Sequence, residues 1–436
     1  MSDTTRNVQV ASADRLEVEH KLPVRTLVAA SIGNAVEWYD WTIYGTFSIF
    51  FATQIFSREN PTLAFLGTAS TFALAFFFRP LGGVLLGRLA DVKGRKFAML
   101  ATIMLMAGGS ALIGILPTYA QVGWLAPILL LVARIAQGLS LGGEVSNASA
   151  YLGEIAPPSR RGRYSSFFYI STGSALLVAA LMGFFLTRAL SREDMASWGW
   201  RIPFLIGGAL AILGFWLRRS LAETEQFETH KEQAAAVKHP LLTTIREHPR
   251  AVVQICGVTL LSTLCFYTFF VALTPYAVRR GVTATDNFLA LSIATALFVA
   301  LQYPMGALSD RFGRKPQLLV WSAAIAVLVV PLSALIRPGL TGMLVVYCTG
   351  LGLYSLMTSI APAIMSELFP TEVRGIGIGA WYNITVATFG GTAPLVITAL
   401  GNAGRPHFFF WYVTSGAVLC FLTVLSLRET ARTPLR

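Results

Sequence analysis

Five charged side chains stand inside stretches that are otherwise apolar: Glu37, Asp40, Arg79, Arg134 and Glu144. Carboxylates removed from water shift toward proton exchange near neutral pH. Guanidinium groups offer a planar pair of N–H donors to a carboxylate. Acids and bases sharing one apolar setting therefore point to a functional site in the membrane interior, with structural ion pairs as the alternative. A charged side chain at mid-bilayer costs about 2.5–3.5 kcal/mol on insertion scales, so five facing lipid would cost about 15 kcal/mol. That exceeds the net stability of most proteins. These groups are expected to face inward and find partners.

Their spacing supports this. Gly33, Glu37, Asp40 and Tyr44 step by four, three and four residues, which aligns them on one helical face. Arg134, Gln137, Gly138 and Leu141 share a face in the same way. At 1.5 Å per residue, Arg134 lies about 15 Å into its span and Arg79 about 13 Å from the end of its own. Candidate substrate-binding residues are Arg79, Arg134, Tyr44, Gln137, Tyr267 and Gln302. Asp40 is the first candidate proton carrier, with Glu37 and Glu144 behind it. A purely structural ion pair is the alternative for Arg134 with Asp40, and packing against Trp38 the alternative for Glu37. Pro80 frees a backbone carbonyl that Arg79 could cap, so Arg134→Lys is expected to cost more binding than Arg79→Lys. Tyr169, Gln254, Tyr303, Tyr354 and Asn383 form a weaker polar set that could equally hold helices together.

The elements that position these groups follow from composition. Of 436 residues, 54% are hydrophobic and 13% charged, against roughly 25% charged in soluble proteins, and the mean hydropathy is +0.61. Spans of about 20 apolar residues fall near 25–50, 64–88, 97–116, 124–150, 165–188 and 201–218, then 251–278, 287–308, 318–336, 341–366, 377–400 and 407–427. The fold class expected is an all-α membrane protein of twelve transmembrane helices in two pseudo-symmetric six-helix bundles. Its domains are a tail at 1–24, bundles at 25–218 and 251–428, a hydrophilic linker at 219–250 and a tail at 429–436. Charged residues and alanines in the linker favour short surface helices. Of 34 Lys and Arg, 24 fall in the tails and alternate loops and eight on the opposite side. That asymmetry places both termini in the cytoplasm.

The net charge of +12 does not indicate nucleic acid, because no soluble module interleaves basic and stacking residues. Cys256, Cys265, Cys348 and Cys420 sit in apolar stretches without metal-site spacing, and the five histidines lie in tails, loops or a helix end. No metal site or cofactor is expected. Residues 1–22 lack an apolar core, so no cleavable signal peptide is expected. No Ser/Lys, His-rich or paired-aspartate constellation suggests an intramembrane enzyme.

Two motifs occur twice. Gly87-Arg88-Leu89-Ala90-Asp91-Val92-Lys93-Gly94-Arg95-Lys96 returns 219 residues later as Gly306-Ala307-Leu308-Ser309-Asp310-Arg311-Phe312-Gly313-Arg314-Lys315. Glu154-Ile155-Ala156-Pro157 with Arg161-Gly162 returns 213 residues later as Glu367-Leu368-Phe369-Pro370 with Arg374-Gly375. Such a period indicates duplicated halves. Asp91 ends a helix, where its own dipole disfavours an acid, so Arg95 or a helix N-terminus of the other half should compensate. Asp91, Arg95, Asp310, Arg314, Glu154, Arg161, Glu367 and Arg374 are therefore expected to form a cytoplasmic gate.

These repeats resemble the signature of the major facilitator superfamily, and the match runs through essentially the whole chain. Gly33-Asn34-Ala35-Val36-Glu37-Trp38-Tyr39-Asp40, Arg79-Pro80-Leu81-Gly82-Gly83, Arg134 to Glu144 and Trp198-Gly199-Trp200-Arg201 look most like its metabolite:proton symporters. The stretch Leu264-Cys265-Phe266-Tyr267-Thr268-Phe269 is similar to the alpha-ketoglutarate permeases, although citrate and tricarballylate carriers share many markers. The resemblance implies alternating access, a central cavity and proton-coupled uptake of a small carboxylate in a bacterial inner membrane. A monomer is expected. The absence of a long coiled-coil tail after Arg428 argues against osmosensing.

Overall fold

A computed structural model describes residues 24–56, 61–236, 239–390, 392–393, 396, 399–400 and 403–435. The N-terminal tail up to residue 23, Arg58, Gly391 and Pro394 lie outside the described residues. The first half runs α1 (Val24–Ile55), α2 (Pro61–Lys93), α3 (Arg95–Gly114), α4 (Leu125–Ile155), α5 (Arg161–Ala189) and α6 (Arg201–Arg219). Linker helices α7 (Glu225–Ala236) and α8 (Pro240–Glu247) follow, as the linker's composition predicts. The second half runs α9 (Pro249–Phe266), α10 (Ala284–Phe312), α11 (Arg314–Ala334), α12 (Leu340–Thr358), α13 (Ala361–Leu368), α14 (Arg374–Thr385) and α15 (Phe408–Leu425). Among the described residues nine helices are long and apolar enough to cross a membrane. With α1, α2 and the α14 segment they occupy the twelve positions that the hydropathy predicts.

Local chemistry sets where the chain turns. α2 passes to α3 through Gly94 at φ +106°, and α10 to α11 through Gly313 at φ +104°, a conformation that side chains resist. α9 continues through a π-helical turn, Tyr267–Ala272, before a last helical stretch to Arg279. α14 likewise passes into a π turn at Val386–Gly390. Such turns widen a helix and re-aim side chains. α12 breaks at Ser359–Ile360, and Pro362 opens α13 at a position where a missing N–H costs nothing.

Within the first half α4 packs against α2 and α3, α3 against α6, and α1 against α5. Asn34 ties α1 to α5, donating to the Phe168 carbonyl at 2.8 Å and to Thr172 at 2.7 Å. In the second half α10 packs on α12, and α15 on α9 and α11. The halves meet along α2 with α14 and α5 with α10. Gly87 lies so close to Gly375 that a Cβ there would stand 2.6 Å from its carbonyl oxygen. Gly306 meets Gly162 in the same way, at 2.5 Å. The repeated glycines are the crossing points of the two halves.

Candidate functional site

A central cavity lies between the halves. The first half lines it with Trp38 and Trp41 from α1, Phe76 and Arg79 from α2 and Tyr169 from α5. The second half adds hydroxyls from Ser262, Thr263, Tyr267, Tyr354 and Tyr382, with Phe266, Phe270 and Phe298 between them. Trp38 packs on Phe266 across the halves, ring centroids 5.0 Å apart. Tyr169 and Tyr382 face the cavity from opposite halves. Arg79 is 4% exposed, and among the described residues its Nε has no hydrogen-bond partner. Its guanidinium lies 5.6 Å from the Phe76 ring. Among the described residues no acid lies within ion-pair distance of it. A buried cation with that deficit favours an anion in the cavity.

Arg134 sits elsewhere. Its guanidinium lies 4.7 Å from the Trp41 ring and 4.0 Å from the Tyr44 ring. Its Nη1 donates to Gln137 Oε1 at 2.7 Å. Gln137 Nε2 in turn donates to Asp40, whose other oxygen accepts from Ser110. The expected pairing of Asp40 with Arg134 thus runs through Gln137. Trp41 belongs to both regions, lining the cavity and facing Arg134. Tyr44 donates to the Thr68 carbonyl at 3.1 Å. Gln302 bridges the Phe298 carbonyl and Thr358 at 3.1 Å each, holding α10 to α12. Of the six candidate substrate residues, Arg79 and Tyr267 line the cavity, while Arg134, Tyr44, Gln137 and Gln302 do not. In the weaker set, Tyr169 and Tyr354 line it. Asn383 donates to the Gly142 carbonyl at 2.8 Å, Gln254 to the Ser426 carbonyl at 3.1 Å, and Tyr303 is largely exposed.

Glu144 pairs with Arg218, a buried residue that the sequence reading did not single out. Arg218 also donates to the carbonyls of Ala30 and Met99, at 3.0 and 2.9 Å. A Cβ at position 33 would collide with its guanidinium, which explains the glycine there. Glu37 Oε1 lies 2.6 Å from Ser140 Oγ.

All eight gate candidates come together in two matching clusters at the repeat-bearing end. Asp91 accepts from Arg95 Nη1 at 2.6 Å and from the Gly375 and Ile376 amides, at 2.8 and 3.0 Å, at the start of α14. Asp310 accepts from Arg314 at 2.9 Å and from the Gly162 and Arg163 amides, at 2.8 and 3.1 Å, at the start of α5. Each acid therefore caps a helix N-terminus of the opposite half. Glu154 receives Arg95 at 3.2 Å and Arg374 at 2.6 Å. Glu367 receives Arg161 at 2.9 Å and Arg314 at 3.7 Å.

A third pair was missed. Ser220-Leu221-Ala222-Glu223-Thr224 recurs 206 residues later as Ser426-Leu427-Arg428-Glu429-Thr430. Glu223 accepts from the Arg95 and Lys96 amides at 3.0 and 3.1 Å, and Glu429 from those of Arg314 and Lys315 at 2.9 and 3.1 Å. Thr224 donates to Glu154 at 2.5 Å, and Thr430 to Glu367 at 2.6 Å. Burial raises the Glu223 carboxyl above its ordinary range, against the backbone donors that favour its charge. Its recurrence after the last apolar segment of each half was the available signal. Replacing Asp91 and Asp310 together with asparagine should open this end. Spin labels on exposed Lys93 and Arg311 should then show a longer mean separation, and an unchanged separation would remove the aspartates as the clasp.

The family model described as "Major Facilitator Superfamily" matches residues 30–382 and 255–436. The chain is 39% identical to the alpha-ketoglutarate permease of Escherichia coli, over 93% of this chain and 94% of that one. It is 30% identical to the proline/betaine transporter of Salmonella typhimurium, over 94% and 85%. Among solved structures it resembles the proton:xylose symporter XylE bound to 6-bromo-6-deoxy-D-glucose, with TM-score 0.77 and 20% identity over 94% of this chain and 97% of that one. The inward-open XylE from E. coli gives 0.63 and 17% identity over 92% and 96%.

Proposed function

Because the chain belongs to the major facilitator superfamily, we propose that it is a proton-coupled symporter importing a small carboxylate, most simply a dicarboxylate such as alpha-ketoglutarate. The observation that carries this is Arg79, a buried cation on the cavity wall with no acid within ion-pair distance among the described residues. Its fork receives one carboxylate, and the facing hydroxyls of Tyr267, Tyr354, Tyr382, Ser262 and Thr263 suit the keto and second carboxyl oxygens. The alpha-ketoglutarate permease of Escherichia coli, 39% identical, supports the same class.

Coupling follows from Trp41. Substrate held by Arg79 presses on the ring that faces Arg134, and displacing Arg134 frees Gln137 from Asp40. Asp40 then gains proton affinity, so substrate and proton favour each other's binding. An inside-negative potential opposes each entering negative charge by about 2.3 kcal/mol per 100 mV, which two protons per dianion offset. The gate clusters close the cytoplasmic end while the cavity faces outward, and their rupture exposes it inward.

The aromatic walls favour a second reading. Trp38, Trp41, Phe76, Phe266 and Phe270 offer ring faces to a quaternary ammonium group, with Arg79 taking the carboxylate of a zwitterion. A binding panel separates these. Unlabelled alpha-ketoglutarate should displace labelled alpha-ketoglutarate, while citrate, proline and glycine betaine should not. Displacement by betaine alone would favour the zwitterion.

The repeat-bearing end and both termini face the cytoplasm in this account, with the protein in a bacterial inner membrane. A cysteine at exposed Glu228, in a chain lacking its native cysteines, should resist an impermeant thiol reagent in intact cells. Rapid labelling would reverse the orientation.

A further inference from the structure

We propose that Glu37 is a second proton-binding site beside Asp40, and that it carries its proton in the closed conformation seen here. This rests on the proton-coupled reading above and adds a site to it. Every other buried carboxylate among the described residues has a cation or at least two donors. Asp91 and Asp310 have an arginine and two amides each. Glu144 has Arg218, Glu154 and Glu367 have arginines, and Asp40 has Gln137 and Ser110. Glu37 is 2% exposed, and among the described residues it has Ser140 alone, while its Oε2 has no partner. An ionised carboxylate so placed is among the costliest groups to bury. A neutral acid with one unfilled carbonyl oxygen costs far less.

The hydrogens lead to the same assignment. Ser140 Oγ lies 2.6 Å from Glu37 Oε1 and 2.8 Å from the Thr102 carbonyl. A hydroxyl has one hydrogen, so it cannot donate to both. If Glu37 is ionised, two acceptors compete for that hydrogen. If Glu37 is protonated, it donates to Ser140 Oγ, and Ser140 donates to the Thr102 carbonyl. Both contacts are then bonds. On loss of the proton, the serine hydroxyl turns its hydrogen from Thr102 to Glu37 Oε1. The same three atoms serve both states without moving a helix.

The charged groups facing Glu37 are Glu144 and Arg218, which neutralise each other, and Arg79. Arg79 is thus the remaining cation whose field favours an ionised Glu37. A substrate carboxylate on Arg79 cancels that field and strengthens proton binding at Glu37. Asp40 and Glu37 together supply the two protons that a dianion requires.

Infrared spectra of the full chain in lipid bilayers near neutral pH test this without substrate. Wild-type protein should show the carbonyl stretch of a neutral carboxylic acid. Glu37→Gln, nearly the same shape, should lose it, and Asp40→Asn should keep it. Ser140→Ala should keep the band at higher frequency, because the acid loses its acceptor, and this variant serves if Glu37→Gln does not fold. A wild-type spectrum without the band, or a band unaltered by both Glu37→Gln and Ser140→Ala, would overturn the proposal. Calorimetry of alpha-ketoglutarate binding in buffers of different ionisation enthalpy counts the protons taken up on binding. Because Glu37 already carries its proton, Glu37→Gln should leave that number unchanged, and an uptake about one lower would mean an ionised Glu37 before binding and overturn the proposal. Absence of alpha-ketoglutarate binding by wild type would contradict the substrate reading while leaving the infrared result to decide Glu37.

Discussion

Arg79→Gln is expected to weaken carboxylate binding about 30-fold or more, because truncating one partner of a buried charge pair costs about 2–5 kcal/mol. Arg79→Lys should fall between this variant and wild type, since an ammonium keeps the charge but loses the planar fork. This reading reverses the order expected from sequence, because Arg79 lines the cavity and Arg134 does not. Arg134 faces Trp41, Tyr44 and Gln137, so Arg134→Lys should act mainly on coupling. Equilibrium binding of labelled alpha-ketoglutarate to purified protein checks both. Unchanged affinity in Arg79→Gln would remove Arg79 from the substrate site.

Asp40→Asn is expected to abolish proton-driven accumulation while retaining substrate exchange across membranes with matched gradients. Asparagine mimics the protonated carboxyl, keeps an oxygen for the Gln137 amide and carries no exchangeable charge. Accumulation at the wild-type level in a folded Asp40→Asn protein would exclude Asp40 as an obligatory carrier. Loss of binding along with exchange would make the Asp40–Gln137–Arg134 chain structural. Since Glu37 is proposed to hold a separate proton, Glu37→Gln should change the number of protons per substrate without mimicking either outcome at Asp40.

The pairing of the repeated charges was the most legible part of the molecule. Asp91 and Asp310 stand in duplicated contexts at helix ends, and helix electrostatics demanded a compensating positive group, Arg95 or a helix N-terminus of the other half. Amides of Gly375 and Gly162, each beside a repeated arginine, supply it. Helix number and position were equally readable, because lipid sets a minimum apolar length. Side-chain reach was harder. Arg218 sits beside Arg219 and Ser220 and reads as the basic end of a span. Helical side chains lean toward the N-terminus, and Gly33 clears the space that lets this one reach Glu144. The cavity wall was least legible. Trp41 and Phe76 belong to a composition that is 12% aromatic throughout, and nothing local distinguishes a ring on the cavity from one facing lipid. The π turn at Tyr267–Ala272 also shifts the helical face, so spacing alone could not assign its residues.

The central claim is that a proton gradient drives a carboxylate inward through this chain. Uptake of labelled alpha-ketoglutarate into proteoliposomes, acidic outside and neutral within, tests it most directly. The account predicts accumulation above the external concentration, lost when a protonophore collapses the gradient. Uptake that stops at equal concentrations whatever the gradient would contradict it.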